Sequence, residues 1–69
     1  MTNAIRRVRV LVVDDSASQR QMLYRLLGQD PEIEVVGCAA TGAEALRAVA
    51  RLEPDIVTLD DRMPVRELV

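Results

Sequence analysis

Three aspartates are the residues of this chain that are best suited to chemistry. Asp14 and Asp15 directly follow the apolar run Val10–Val13, and Asp60 directly follows Ile56–Leu59. Clustered carboxylates repel one another, so a group of them is costly unless protons or a cation compensate the charge. Carboxylate oxygens suit Mg²⁺, which binds one or two of them together with water and phosphate oxygens. An aspartate can also accept a phosphoryl group as an acyl phosphate, and Asp60 is the candidate acceptor.

The rest of the composition excludes several other kinds of site. All nine basic residues are arginine, so the chain offers no histidine base or ligand and no lysine nucleophile. The net charge of −2 is too balanced to indicate binding to nucleic acid or to an acidic membrane surface. No apolar run is long enough for a signal peptide or a membrane span. Cys38, the only cysteine, lies in an apolar run and is predicted to be buried and inert, which fits a reducing cytoplasm.

The hydrophobic pattern predicts three strands that alternate with two helices in one domain of 69 residues. The predicted strands are Val8–Val13, Ile33–Ala39 and Asp55–Leu59. Ser16 with Gln19, and Thr41 with Glu44, form capping boxes that begin the two helices. Gly28 is predicted to follow the first helix, and Glu53-Pro54 to end the second.

Apolar residues at helical spacing predict the buried face of each helix. In the first helix they are Met22, Leu23, Leu26 and Leu27, and in the second Ala45, Leu46, Val49, Ala50 and Leu52. Arg20 and Arg25 are predicted to lie on the solvent side of the first helix.

Strands that alternate with helices of this length call for a parallel sheet, and right-handed crossovers then limit its topology. The predicted strand order is 2-1-3, with one helix on each face and the first strand in the centre. This order places Asp14, Asp15 and Asp60 at the carboxyl ends of adjacent strands, where open α/β sheets bind ligands. An Asp-Asp pair after a single strand would more simply begin a turn and favour the positive end of a helix. The second acidic group on the adjacent strand instead favours a metal site.

Three ordered motifs extend over positions 8–64. They are Val-Leu-Val-Val-Asp-Asp-Ser-Ala, then Thr-Gly-x-Glu-Ala-Leu, then Pro-Asp-Ile-Val-Thr-Leu-Asp-x-x-Met-Pro. Together they resemble the receiver domain of two-component response regulators. The segments Asp-Pro-Glu-Ile-Glu-Val-Val-Gly and Asp-Ile-Val-Thr-Leu-Asp are most similar to those of chemotaxis methylesterase regulators. The resemblance implies a flavodoxin-like receiver fold, of which this chain has the N-terminal half.

The resemblance also implies a role for each site residue. Asp60 would be phosphorylated by a partner histidine kinase, with Mg²⁺ as the cofactor. Asp15 would bind the metal directly, Asp14 through water, and the backbone carbonyl of Arg62 would complete the protein ligands. Met63-Pro64 would shape the loop after the acceptor and is given no chemistry.

The sequence departs from the family in two respects. The family's last two strands and three helices have no counterpart, and with them the Ser/Thr and the Lys that contact the phosphoryl group. Asp61 stands where the family commonly has an apolar or aromatic residue, and it either tightens metal binding, repels a phosphoryl group or points to solvent. An unpaired third strand would leave an exposed edge, so we expect completion of the fold by self-association.

Two functions follow as hypotheses. The first is a phosphoacceptor receiver module in a cytoplasmic phosphorelay, impaired by the missing half. The second is a non-catalytic half-receiver that acts as an interaction module. An enzyme is not expected, because phosphatases with an aspartate nucleophile have a second Asp two residues later, where this chain has Arg62. A methylesterase would need a catalytic domain that the sequence does not contain.

Overall fold

A computed structural model describes residues 6–60 of the chain. Its elements in chain order are β1 (Val8–Val13), α1 (Ala17–Gly28), β2 (Ile33–Ala39), α2 (Gly42–Leu52) and β3 (Ile56–Leu59). The strand bounds agree with the predicted ones, except that β3 begins one residue later. Asp55 lies outside the strand, and its side chain accepts hydrogen bonds from the Arg9 backbone N–H at 2.9 Å and from Arg6 at 3.2 Å. Within residues 6–60, neither helix is long and apolar enough to cross a membrane.

The three strands form a parallel sheet of order β2-β1-β3. The predicted topology is therefore confirmed, and β1 is the central strand. Its last four residues, Val10–Val13, are each at most 3% exposed. A strand that is covered on both faces needs apolar side chains at successive positions, which is the pattern that β1 shows.

The main core lies between the sheet and α2. Leu11 and Val13 of β1 pack there with three alanines, Ala39, Ala45 and Ala48. A register shift between Val10 and Leu11 places Gly37 of β2 beside Leu11. A Cβ atom at Gly37 would lie 2.9 Å from Cδ1 of Leu52, so the glycine lets α2 lie close to the sheet.

The predicted buried face of α2 is only partly right. Ala45 is buried and Leu52 is half-buried, but Leu46, Val49 and Ala50 are exposed. Ala48, which was not predicted, is buried instead. The helix contacts the sheet along a narrow stripe of small side chains, so larger residues beside that stripe remain in solvent.

The prediction for α1 is also only partly right, because no residue of this helix is fully buried. Leu23 and Leu27 are half-buried, whereas Met22 and Leu26 are 53% and 55% exposed. Each pair is four residues apart, so each forms its own stripe along the helix. Only the stripe with Leu23 and Leu27 lies towards the sheet.

Two further predictions on this side of the molecule are wrong. Cys38 is exposed rather than buried. It alternates along β2 with Ala39, which faces α2, and therefore lies on the α1 side of an outer strand, where coverage is sparse. Gly28 is the last residue of α1 rather than the residue after it, and the cap is Gln29 in a right-handed conformation with φ −75°.

Each of the two predicted capping boxes has only one of its two predicted hydrogen bonds. The Ser16 hydroxyl accepts a hydrogen bond from the Gln19 N–H, and the Thr41 hydroxyl accepts one from the Glu44 N–H. The return bonds differ from the predicted ones. Glu44 accepts from the N–H of Ala40 at 2.8 Å, one residue before the cap. The Ser16 N–H donates to Asp14 instead of Gln19, so the start of α1 is tied directly to an acidic residue.

Candidate metal centre

The fold brings Asp14, Asp15 and Asp60 together at the carboxyl end of the sheet, where β1 and β3 finish. A carboxylate oxygen from each residue lies within 4.8 Å of one from each of the other two. β1 and β3 are adjacent and parallel, so the residues that directly follow the two strands lie at the same end of the sheet. The predicted convergence of the three side chains, which lie about 45 positions apart in sequence, is therefore observed.

Asp14 is the most buried of the three and is only 3% exposed. Its backbone N–H donates to the carbonyl of Ala39 at 3.0 Å, which extends the pairing of β1 with β2. Its Oδ1 atom accepts from the backbone N–H of Ser16 at 2.9 Å, an Asx turn at the start of α1. Burial and these bonds leave Asp14 little freedom to turn away from the cluster.

Asp60 is placed by the pairing of β3 with β1. Leu59 pairs with Val13, and the Asp60 N–H donates to the Val13 carbonyl at 3.3 Å. This register sets Asp60 beside Asp14. Asp60 is half-buried and Asp15 is exposed, so the cluster runs from the sheet edge outward to solvent.

The donor set fits Mg²⁺. Oxygen ligands at the usual Mg²⁺ distance in an octahedral shell are about 3 to 4 Å apart, so carboxylates that already lie within 4.8 Å need only a small closure. All three donors are hard oxygen atoms, and the exposed position of Asp15 leaves room for water ligands. Asp14, Asp15 and Asp60 are the residues that would hold the ion.

The sequence prediction missed one contact at this site. Arg20 was expected on the solvent side of α1, but it is half-buried, and its Nη1 atom donates to the backbone carbonyl of Asp14 at 2.8 Å. Long side chains on a helix point back towards its N-terminus, and Arg20 is the fourth residue of α1. That direction was the available signal, but helical periodicity alone assigned the residue to solvent.

Some predicted features lie outside the described residues. They are the backbone carbonyl of Arg62 as a metal ligand, the orientation of Asp61, and the loop at Met63-Pro64. The three carboxylates are thus the part of the predicted site whose geometry is described.

The fold and the acidic cluster are those of a signalling domain, and comparison of the sequence with known families identifies which one. The sequence profile of the response regulator receiver domain matches residues 10–67. The chain belongs to this family. Receiver domains in general take phosphoryl groups from histidine kinases and use Mg²⁺.

The most informative curated relatives are protein-glutamate methylesterase/protein-glutamine glutaminases. The protein from Geobacter metallireducens is 63% identical over 57 residues, which cover 83% of this chain and 16% of the relative. The protein from Moorella thermoacetica is 57% identical over 60 residues, covering 87% and 14%. The chain therefore spans less than a fifth of the length of these relatives.

Two solved receiver domains have the same fold. The response regulator domain of Thermotoga maritima CheB is 46% identical, with a TM-score of 0.80 over 86% of this chain and 44% of that domain. The receiver domain of the putative response regulator NarL from Mycobacterium tuberculosis is 41% identical, with a TM-score of 0.80 over 86% and 48%. The strand order and the placement of both helices thus match known receiver domains.

Proposed function

We propose that this chain is a phosphoacceptor module in which Asp60 receives a phosphoryl group from a histidine kinase in the cytoplasm. The observation that carries the proposal is the meeting of Asp14, Asp15 and Asp60 within 4.8 Å, in a chain of the receiver family. The similarity of the sequence to chemotaxis methylesterase regulators supports a proposed role of the module in chemotaxis signalling. Nothing in its charge pattern calls for nucleic acid or a membrane as partner.

The proposed transfer is a displacement at phosphorus. A carboxylate oxygen of Asp60 forms the new bond to phosphorus, and the bond from phosphorus to the donor nitrogen or oxygen breaks, with that electron pair leaving on the donor. Asp14 and Asp15 would hold Mg²⁺ with Asp60, and the Arg62 carbonyl is proposed as a further ligand. The bound ion would supply positive charge against the phosphoryl oxygens. Because the chain modifies only itself, we propose that it is not an enzyme acting on a separate substrate.

The proposal is tested by incubating the chain with acetyl phosphate and following the intact mass. With Mg²⁺ present, one phosphoryl group is expected to add, because the ion offsets the repulsion between an anionic donor and three carboxylates. With EDTA the addition is expected to disappear. Mass addition that is equal with and without Mg²⁺, or none under any condition, would contradict the proposal.

A second candidate function, self-association, is favoured by the surface of β3. Within residues 6–60 this strand is the edge of the sheet next to β1, and its Ile56, Val57 and Leu59 are 50%, 36% and 45% exposed. An apolar edge strand with unpaired backbone groups can pair with another chain. We therefore propose that two copies of this chain associate through β3 and that the chain can serve as a non-catalytic interaction module.

Light scattering coupled to size exclusion tests this association. The chain is expected to elute as a dimer at high concentration, and Ile56→Lys is expected to shift it to monomer, because a charged residue on an edge strand opposes pairing. Leu46→Lys on α2 is the matched control, since Leu46 is similarly exposed (43%) but lies away from the edge. A folded monomer at every concentration would refute the proposed dimer.

A further inference from the structure

Arg20 contacts the acidic site at the peptide group that joins Asp14 to Asp15, two of its three aspartates. The carbonyl of Asp14, which accepts from Nη1 of Arg20 at 2.8 Å, belongs to the peptide bond between Asp14 and Asp15. A peptide group is planar, so fixing its carbonyl also fixes the direction in which the next residue leaves. The orientation of this one plane therefore affects the positions of both aspartates.

The other polar groups of Asp14 are bound by different parts of the fold. Its N–H is bound by Ala39 of β2, and its carboxylate by the N–H of Ser16 at the start of α1. β1 ends at Val13, so the Asp14 carbonyl lies beyond the strand ladder, and Arg20 provides its hydrogen bond. Each polar group of the buried aspartate is thereby satisfied, and only the carbonyl depends on a long side chain.

The hydrogen bond brings a positive charge close to the cluster through a main-chain oxygen. A guanidinium that took the carboxylates in a bidentate pair would occupy the same oxygen atoms that a metal needs. A guanidinium on the carbonyl orients the site and offsets part of its negative charge without occupying those atoms. Arg20 is half-buried and lines a groove of about 390 Å³ together with Ala17, Gln21, Tyr24 and Cys38.

We propose that Arg20 is a positioning residue for the metal site, acting through the Asp14–Asp15 peptide. The inference rests on the proposed metal-binding function of the three aspartates. It assigns to α1 a part in metal affinity as well as in packing. Arg20 would not itself be a metal ligand, so removing its side chain would change the metal affinity and the geometry of the site.

The test is the affinity for Mn²⁺, a spectroscopically detectable ion that accepts the same oxygen ligands, measured by electron paramagnetic resonance on the whole chain. Arg20→Met, which keeps the length of the stem but removes the donor, is expected to weaken binding about tenfold, the usual effect of losing a residue that orients a metal ligand. Arg20→Lys keeps a charged donor and is expected to recover most of the affinity. Arg25→Met is the matched control, because Arg25 is an exposed arginine of the same helix, in its last turn.

Wild-type affinity in Arg20→Met would overturn the inference. If Arg20→Met does not fold, Arg20→Gln, which is polar but shorter and uncharged, replaces it in the same Mn²⁺ measurement. Its affinity is expected to fall as well, and wild-type affinity in a folded Arg20→Gln chain would overturn the inference. A wild-type chain that binds no Mn²⁺ would overturn this inference together with the proposed metal site. A chain that binds Mn²⁺ in an Arg20-dependent way but gains no phosphoryl group would contradict the proposed transfer alone.

Discussion

Asp60→Asn is expected to reduce Mg²⁺-dependent phosphoryl addition to background. Asparagine has nearly the same shape, so β3 should still pair with β1 through the backbone N–H of residue 60. Its neutral amide oxygen is a poor nucleophile, and the variant also loses one of the three carboxylates of the cluster. The measurement is the intact mass after incubation with acetyl phosphate and Mg²⁺, together with far-UV circular dichroism to show that the fold is kept.

Asp30→Asn is the matched control for this experiment. Asp30 lies between α1 and β2, at the amino-terminal end of the sheet and away from the cluster. Its side chain accepts a hydrogen bond from the Glu32 N–H at 2.9 Å, which an asparagine side chain can also do. The control is expected to gain the phosphoryl group as the wild type does. Full labelling of Asp60→Asn, or a phosphoryl group located on Asp15 by fragmentation, would show that Asp60 is not the acceptor.

The sequence was sufficient to predict how Asp14, Asp15 and Asp60 meet. The apolar runs before them and the caps at Ser16 and Thr41 established the order of strands and helices, and the handedness of the crossovers limited the topology. From the strand order, the convergence follows because parallel strands end at one edge. These are rules about backbone geometry, which short-range sequence patterns capture well.

The errors concern which side chains the helices cover. Periodicity identifies an apolar stripe but not how much of that stripe another element reaches, so Met22 and Leu26 were predicted to be buried and are exposed. Cys38 was misplaced for the same reason, since burial in β2 depends on the coverage that α1 provides. Coverage of this kind is tertiary information and has no local signature. Arg20 differs, because the direction of a long side chain near the start of a helix was a usable signal for its hydrogen bond to the Asp14 carbonyl.

The second large effect is expected in the core next to the site. Leu11→Ala is expected to lower the free energy of unfolding enough to unfold a large part of the molecules. Leu11 is fully buried in the cluster that joins the sheet to α2. Replacing a buried leucine by alanine costs about 2–5 kcal/mol, because the transfer energy is lost and a cavity remains. A chain of this length has only about 3–10 kcal/mol of stability in total. Urea denaturation followed by far-UV circular dichroism measures the change.

The control for the core prediction also links it to the metal site. Leu46→Ala removes the same atoms from a residue that is 43% exposed, and a change of only about 0.5 kcal/mol is expected. Leu11 lies in β1, three residues before Asp14, and the three aspartates meet only when β1 is paired in the folded sheet. Mg²⁺ at one hundred times its Kd should therefore restore about 2.7 kcal/mol to Leu11→Ala. A Leu11→Ala chain as stable as Leu46→Ala would contradict the assigned core, and a stability that does not respond to Mg²⁺ would contradict coupling between the core and the site.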